Sequence, residues 1–236
     1  RRCHWPMTPP RVRPLPGAVR LAALRRPARS GAADRIAPVV LGVGGDDGEP
    51  LVADLFAGRA RLLVAGPPGS GRSTLLLTLL SQLVELGPRL LVAAPDASPL
   101  TARARAARVS VLAPDGEFPG VPDGTSILLL DDAEAFLDSP GGDALTAWAL
   151  RRPDAAVVLA GCSDELALSF RGIAAHVRKA RCAVLLDPGP GDGALAGVRL
   201  SARRGSGPPG RGVVIGDPSW GAPFGAAPLP IQVAQP

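Results

Sequence analysis

The chain has 236 residues, of which 46% are hydrophobic and 3% aromatic, and this suits one α/β domain with an aliphatic core plus an extension. The net charge of +5 is uneven: residues 1–35 hold nine arginines and one acid, whereas the remainder holds 17 basic and 20 acidic residues. A mildly acidic body argues against nucleic acid as the partner of the whole domain. The longest apolar stretch, near residues 75–84, is too short for a membrane span.

The three cysteines, Cys3, Cys162 and Cys182, are far apart, without metal-ligand spacing, and indicate a reducing compartment. The chain opens without an initiator methionine, which suggests a piece of a longer protein. Residues 1–35, rich in Pro and Arg, are predicted as a linker or wrapped extension, and residues 36–236 as the folded domain.

Along the predicted domain, apolar strands alternate with helices. A glycine-rich turn at 44–48 before a short strand at 51–55 predicts a hairpin. Further strands are predicted at 61–65, 89–94, 109–113, 126–130, 155–160, 181–186, 212–215 and 230–234, with helices at 73–86, 102–108, 133–137 and 142–152. Continuous apolar strands between helices predict a mostly parallel central sheet with helices on both faces.

A glycine loop between the first of these apolar strands and the long helix carries the strongest motif. It fits the phosphate-loop pattern at every position but one, and its residues are Gly66, Pro67, Pro68, Gly69, Ser70, Gly71, Arg72, Ser73 and Thr74. Glycines let successive backbone N–H groups point at a phosphate, and the helix N-terminus adds partial positive charge. Ser73 offers a hydroxyl to Mg²⁺. An ordinary turn before a helix is the alternative.

Arg72 stands where the pattern has lysine. Arginine keeps the positive charge but is bulkier and forked, so the two side chains are not interchangeable. The substitution predicts either a site that binds nucleotide and turns over slowly, or a vestigial site in an arginine-rich sequence.

A second acidic motif follows the predicted strand at 126–130. Asp131 is the predicted Mg²⁺ ligand, directly or through water. Asp132 occupies the position of the glutamate that orients the attacking water in this class, and it is one methylene shorter. Glu134 could substitute, although its offset on a starting helix points it elsewhere. For an isolated acidic pair, a helix cap would be the preferred interpretation.

Other residues give weaker signals. Cys162 or Ser163 could sense a γ-phosphate at the end of the strand at 155–160, although a plain turn is the simpler interpretation. An arginine donated to a neighbouring subunit could be any of Arg151, Arg152, Arg171 and Arg178. His4 and His176 have no nucleophile partner arrangement, so triad chemistry has no support.

Together these features predict an α/β, RecA-like (additional-strand) P-loop NTPase domain. The chain resembles the FtsK/SpoIIIE family of motor ATPases, and most of all the last ATPase module of EccC-like type VII secretion chains. Beyond the two motifs above, the resemblance rests on the order of short segments at 13–16, 169–172, 209–212 and 231–233.

The resemblance implies a module that binds ATP and Mg²⁺ within a membrane-anchored chain of several ATPase modules, assembled into hexamers at the cytoplasmic face of the plasma membrane. This segment itself is expected to be soluble and not inserted in the membrane. Neighbouring modules and secreted helical-hairpin proteins are the implied partners, with a regulatory or docking role and weak hydrolysis. A competent ATPase, a DNA translocase module and a purely structural ring spacer remain alternatives.

Overall fold

The computed structural model describes residues 13–24, 38–55, 60–116, 120–201, 204–205, 207–216 and 227–236. The described residues form one 11-stranded sheet flanked by five α-helices. The strands are β1 (Val19–Arg20), β2 (Pro38–Gly44), β3 (Glu49–Asp54), β4 (Arg61–Ala65), β5 (Leu90–Ala93), β6 (Ser110–Leu112), β7 (Ile127–Leu130), β8 (Ala156–Gly161), β9 (Ala183–Leu186), β10 (Arg211–Ile215) and β11 (Leu229–Gln235). The helices are α1 (Arg72–Leu86), α2 (Pro99–Ala106), α3 (Pro140–Arg151), α4 (Ser163–Leu168) and α5 (Gly172–Arg178), with 3₁₀ turns at Leu21–Ala23, Ala133–Phe136 and Asp192–Ala196.

The strand order is β3-β2-β11-β10-β9-β4-β8-β7-β5-β6, and β1 pairs with β11 off this path. From β9 to β6 all pairs are parallel, and β8 lies between β4 and β7 as an additional strand. The pairs from β9 through β10, β11 and β2 to β3 are antiparallel. The predicted α/β, mostly parallel RecA-like sheet is therefore confirmed.

Apart from Arg61 at the start of β4, the strands β4, β7, β8 and β9 are apolar because both faces of the sheet are covered. Every residue of β4, β7, β8 and β9 is buried. One face packs against α1 and α2, and the other against α3, α4, α5 and the 3₁₀ turns at Ala133–Phe136 and Asp192–Ala196. Burying an aliphatic side chain contributes about 1.5–3 kcal/mol, so the aliphatic core compensates for the scarcity of aromatic residues.

Helix α1 joins the parallel half of the sheet to its antiparallel half. Gln82, which is 1% exposed, accepts a hydrogen bond from the Val40 amide at 2.8 Å and donates to the Val40 carbonyl at 2.9 Å. The hydroxyl of Thr78 donates to the Ala234 carbonyl. Gly87 ends the helix in the left-handed conformation, with its amide bonded to the Leu83 carbonyl. These contacts orient α1, and therefore the loop that precedes it.

Two of the observed α-helices and one strand lie outside the predicted set. Helices α4 and α5 have only six and seven residues, too short for a clear helical period. Strand β1 lies within the predicted N-terminal extension and pairs with β11. The predicted boundary at residues 35 and 36 lies outside the described residues. Within the described ranges, no helix has the length and apolar character that crossing a membrane requires.

Candidate nucleotide-binding site

The predicted phosphate loop lies between β4 and α1, at the carboxyl edge of the parallel strands. Gly69 and Gly71 have positive φ angles of 79° and 104°. A Cβ on Gly66 would lie 2.5 Å from the Ser70 hydroxyl, and one on Gly71 would lie 2.9 Å from the Gly210 amide nitrogen. Neither position therefore tolerates a side chain. The loop presents the open N-terminus of a 15-residue helix, a favourable place for an anion.

Three of the four segments that carried the weaker part of the resemblance, at 13–16, 209–212 and 231–233, are joined by hydrogen bonds next to this loop. The Gly210 amide donates to the Ser70 carbonyl at 2.7 Å. Gln232, 1% exposed, donates to the Pro209 carbonyl and accepts from the Arg211 guanidinium. Arg211 also donates to the carbonyls at 15 and 16. These three segments therefore support the phosphate loop directly or through one another, whereas the segment at 169–172 lies elsewhere, where Arg171 pairs with Asp138.

Asp131 ends β7 and is 0% exposed. Its Oδ2 accepts a hydrogen bond from the Ser98 hydroxyl at 2.8 Å, while its Oδ1 has no partner among the described residues. Ser98 is also the N-cap of α2 and accepts from the Leu100 amide. The sequence reasoning missed Ser98, although a serine-proline pair that follows the strand next to β7 was a usable signal.

Arg72 reaches the second acidic motif. Its guanidinium donates from Nη2 to Asp132 Oδ1 at 3.2 Å and from Nη1 to Glu134 Oε1 at 3.4 Å. The Arg72 side chain is 10% exposed. Asp132 has φ 48° and ψ 57°, a left-handed conformation. Burial raises the pKa of Asp132, the charges of Asp131 and Glu134 raise it further, and Arg72 offsets part of this effect.

Glu134 faces the end of β8. Both of its carboxylate oxygens accept a hydrogen bond from the Cys162 amide, at 3.3 and 3.1 Å. A Cβ on Gly161 would lie 2.7 Å from Glu134 Oε2, so the absence of a side chain there makes room for the carboxylate. Glu134 nevertheless shares the Arg72 guanidinium with Asp132, so its offset along the chain does not separate the two carboxylates. Its catalytic role stays a prediction.

Three buried polar atoms lack a hydrogen-bond partner among the described residues: Asp131 Oδ1, Ser70 Oγ and Ser163 Oγ. They belong to the segments that follow β7, β4 and β8, which are adjacent in the sheet. Leaving a buried polar atom unpaired costs about 1–3 kcal/mol. The edge of the sheet at which β4, β7 and β8 end is therefore suited to a polar ligand. Ser73, a half-exposed residue in the first turn of α1, adds a further hydroxyl there. A carboxylate oxygen and serine hydroxyls of this kind are suitable groups for binding a Mg²⁺–nucleotide.

The remaining candidates are engaged elsewhere or exposed. Arg152 pairs with Asp154 and Arg171 with Asp138, while Arg178 donates to the carbonyls at 166 and 169. Arg151 is exposed at the end of α3. His176 Nε2 accepts from Arg61 Nε at 3.4 Å, and burial, then Arg61 and Lys179, lower its pKa. Cys3 and His4 lie outside the described residues. No arginine is thereby assigned to a neighbouring site.

The fold and the order of the two motifs define a P-loop NTPase domain of the RecA-like class. Searches against protein-family models and against curated proteins find no match. Among solved structures, the chain is similar to the cytoplasmic domain of the Thermomonospora curvata type VII secretion ATPase EccC, at 19% identity and a TM-score of 0.66, over 99% of this chain and 30% of that chain.

ATPases 2 and 3 of the same EccC, in complex with a signal sequence peptide, match at 19% identity with a TM-score of 0.69, over 99% of this chain and 46% of that chain. ATPases 2 and 3 of EssC from Geobacillus thermodenitrificans match at 13% identity with a TM-score of 0.69, over 94% and 45%. The likeness to EccC-type ATPase domains, expected from the sequence, is confirmed for the fold. The chain spans less than half the length of each of these proteins.

Proposed function

We propose that this chain is an ATP-binding module of a multi-ATPase, membrane-anchored secretion motor, with a regulatory or substrate-docking role and weak hydrolysis of its own. The observation that carries the proposal is the phosphate loop beside three unpaired buried oxygens at one edge of the sheet. Its partners would be neighbouring ATPase modules of the same chain and ring, at the cytoplasmic face of the plasma membrane. The similar EccC and EssC structures each contain further ATPase modules.

In this proposal the loop from Gly66 to Gly71 donates backbone N–H groups to the phosphates, and Arg72 supplies positive charge. Ser73 and Asp131 hold Mg²⁺, which supplies neutralisation of the phosphate charge. Asp132 is the carboxylate placed to orient water, yet its side chain is short and paired with Arg72. Weak independent hydrolysis follows, because the water-orienting group lies in an ion pair.

The docking role has a candidate surface on the face of the sheet that carries α3, α4 and α5. Phe170 and Leu168 are 82% and 72% exposed. Both line a groove of about 680 Å³, together with Phe136 and the carboxylates of Asp143 and Glu165. Apolar side chains with acidic neighbours complement an amphipathic helix that carries basic residues, and we propose such a helix of a secreted helical-hairpin protein as the occupant.

A labelled amphipathic peptide with leucine and lysine side chains tests the groove by fluorescence anisotropy. Phe170→Ser should weaken binding about tenfold or more, as for a buried aromatic anchor. Val84→Ser is the matched control, since Val84 is 42% exposed on α1, across the sheet. Equal effects of the two substitutions, or no binding, would remove the groove from the proposal. Export that survives deletion of the module from its parent chain would refute the docking role altogether.

Nucleotide binding is tested by calorimetric titration of the chain with Mg-ATP beside an Arg72→Ala variant. Micromolar binding that the variant loses would support arginine in the role of the lysine. Turnover that Asp131→Asn abolishes would favour a competent ATPase instead of a regulatory module. A folded chain that binds nothing at millimolar ATP would refute the nucleotide role and leave a structural or docking one.

A further inference from the structure

Glu134 connects two parts of the nucleotide edge that are distant in sequence. Its Oε1 accepts from Arg72 Nη1 at 3.4 Å, and both of its oxygens accept from the Cys162 amide. The carboxylate is therefore held from two sides, by the first residue of α1 and by the residue that precedes α4. Its side chain is 27% exposed, so solvent screens this contact only in part.

The contact depends on the shape of arginine. The guanidinium is a planar fork with several donors, and here two of its nitrogens serve two different carboxylates, Asp132 and Glu134. A lysine at position 72 would present one compact ammonium group, which cannot reproduce the fork. The departure from the phosphate-loop pattern therefore makes possible a contact between the loop and the second acidic motif.

We propose that Glu134 is a positioning residue that restrains Arg72 on the acidic motif, so that the chain opposes its own nucleotide binding until this contact is released. The inference rests on the proposed function, in which Arg72 supplies charge to the phosphates. A guanidinium shared with two carboxylates is less available to an incoming anion. If only a fraction of molecules has Arg72 released, the measured dissociation constant rises in inverse proportion to that fraction.

Cys162 explains why Glu134 rather than Asp132 is assigned the restraining role. The Cys162 amide also donates to both oxygens of the Glu134 carboxylate, at 3.1 and 3.3 Å. The glycine at position 161 lets the carboxylate lie against the end of β8, since a Cβ there would lie 2.7 Å from Glu134 Oε2. The carboxylate thus occupies a fixed place, and a fixed acceptor holds a flexible arginine better than a mobile one does.

The test compares Mg-ATP and Mg-ADP dissociation constants of the whole chain with those of Glu134→Asp and Glu134→Gln. The aspartate variant keeps the negative charge but is one methylene too short to hold both Arg72 and the Cys162 amide. Both variants should bind each nucleotide about three- to tenfold more tightly than the parent chain. Glu49→Asp is the matched control, since Glu49 is an exposed glutamate at the start of β3, and it should leave the dissociation constants unchanged.

Tighter nucleotide binding by Glu134→Gln but not by Glu134→Asp would overturn the proposal, because simple repulsion between a carboxylate and the phosphates would explain it. No gain in either variant would overturn it as well. Should the Glu134 variants fail to fold, Arg72→Lys gives the second measurement, since it keeps the charge and removes the fork. Arg72→Lys should also tighten binding. Where the Glu134 variants do fold, adding Glu134→Asp to Arg72→Lys should give little further gain in affinity.

Failure of the proposed function gives a different pattern. If neither the parent chain nor any variant binds nucleotide, the site is vestigial, and both the proposed function and the restraint of Arg72 by Glu134 are refuted. If the parent chain binds and the variants match it, the proposed function stands and only the restraint is refuted. Binding that appears only in the Glu134 variants would support both.

Discussion

The Ser98 hydroxyl donates a 2.8 Å hydrogen bond to Asp131 Oδ2, and the opposite oxygen of that carboxylate has no partner among the described residues. One oxygen of the predicted magnesium ligand is therefore held by the protein while the other stays unpaired. Because Asp131 is fully buried, its rotamer depends on this bond. The arrangement leads to a direct test of the metal site.

Ser98→Ala should raise the Mg²⁺ concentration needed for tight ATP binding about tenfold, as expected when a residue that orients a ligand is lost. It should also cost about 1 kcal/mol through loss of the α2 cap. Titration of ATP binding against Mg²⁺, with thermal unfolding in parallel, measures both effects. Ser139→Ala is the matched control, since Ser139 caps α3 through the Gly142 amide in the same way. Equal shifts in Mg²⁺ dependence for the two variants would contradict the assignment.

Asp132→Asn should stabilise the protein at neutral pH. Because its environment raises the pKa of Asp132 above 3.8, the native state binds this proton more tightly than the unfolded chain. The free energy of unfolding of the wild type therefore falls as the pH rises through the range in which Asp132 loses its proton. At pH 7 the folded chain bears the full cost of the ionised carboxylate. Asparagine also tolerates the left-handed conformation at position 132. Thermal unfolding as a function of pH should show an advantage that shrinks on acidification.

Asp138→Asn is the control for backbone conformation, since Asp138 has a φ of 58° and is paired with Arg171 at the surface. It shares the left-handed conformation without the burial of Asp132. A pH-dependent gain of the same size in this variant would show that backbone conformation, rather than the charge of Asp132, explains the result.

His176→Gln should reduce the loss of stability in mild acid. Burial and the nearby cations lower the pKa of His176 below 6.5, and its Nε2 accepts from Arg61. As the pH falls, His176 is protonated at a higher pH in the unfolded chain than in the folded one. The free energy of unfolding of the wild type therefore decreases as the pH falls below about 6.5. Glutamine keeps an acceptor and cannot titrate. Chemical denaturation between pH 5 and pH 8 measures the difference, and identical pH profiles would contradict the assignment.

Gly161→Ala should disturb the nucleotide edge from the side of β8. A Cβ there would lie 2.7 Å from Glu134 Oε2 and 3.1 Å from Leu166 side-chain atoms, so we expect a cost of about 1–3 kcal/mol in the free energy of unfolding. Gly191→Ala is the control, because its Cβ would meet nothing within 4 Å. Urea denaturation compares the two. A Gly161→Ala variant as stable as Gly191→Ala would show that the turn relaxes freely.

The sequence by itself determined the class of fold and the two motifs. The residues of β7, β8 and all of β4 after Arg61 are apolar because both faces of a parallel sheet are covered, so these strands could be predicted from the sequence. The glycine loop was also readable, since only glycine fits at positions 66 and 71. Helices α4 and α5 were not, because a helix of six or seven residues gives too few turns for a period to emerge.

Only the tertiary structure decided which distant groups meet. Ser98 reaches Asp131 because β5 and β7 are neighbours in the sheet, an order that local sequence patterns do not encode. The contact of Arg72 with two carboxylates and the hydrogen bonds from the Cys162 amide to Glu134 have the same origin. They join the segments that follow β4, β7 and β8, which lie at one edge of the sheet. Local residue preferences specify most of the strands and turns. The contacts that hold the predicted site residues depend instead on long-range packing, which only the tertiary structure shows.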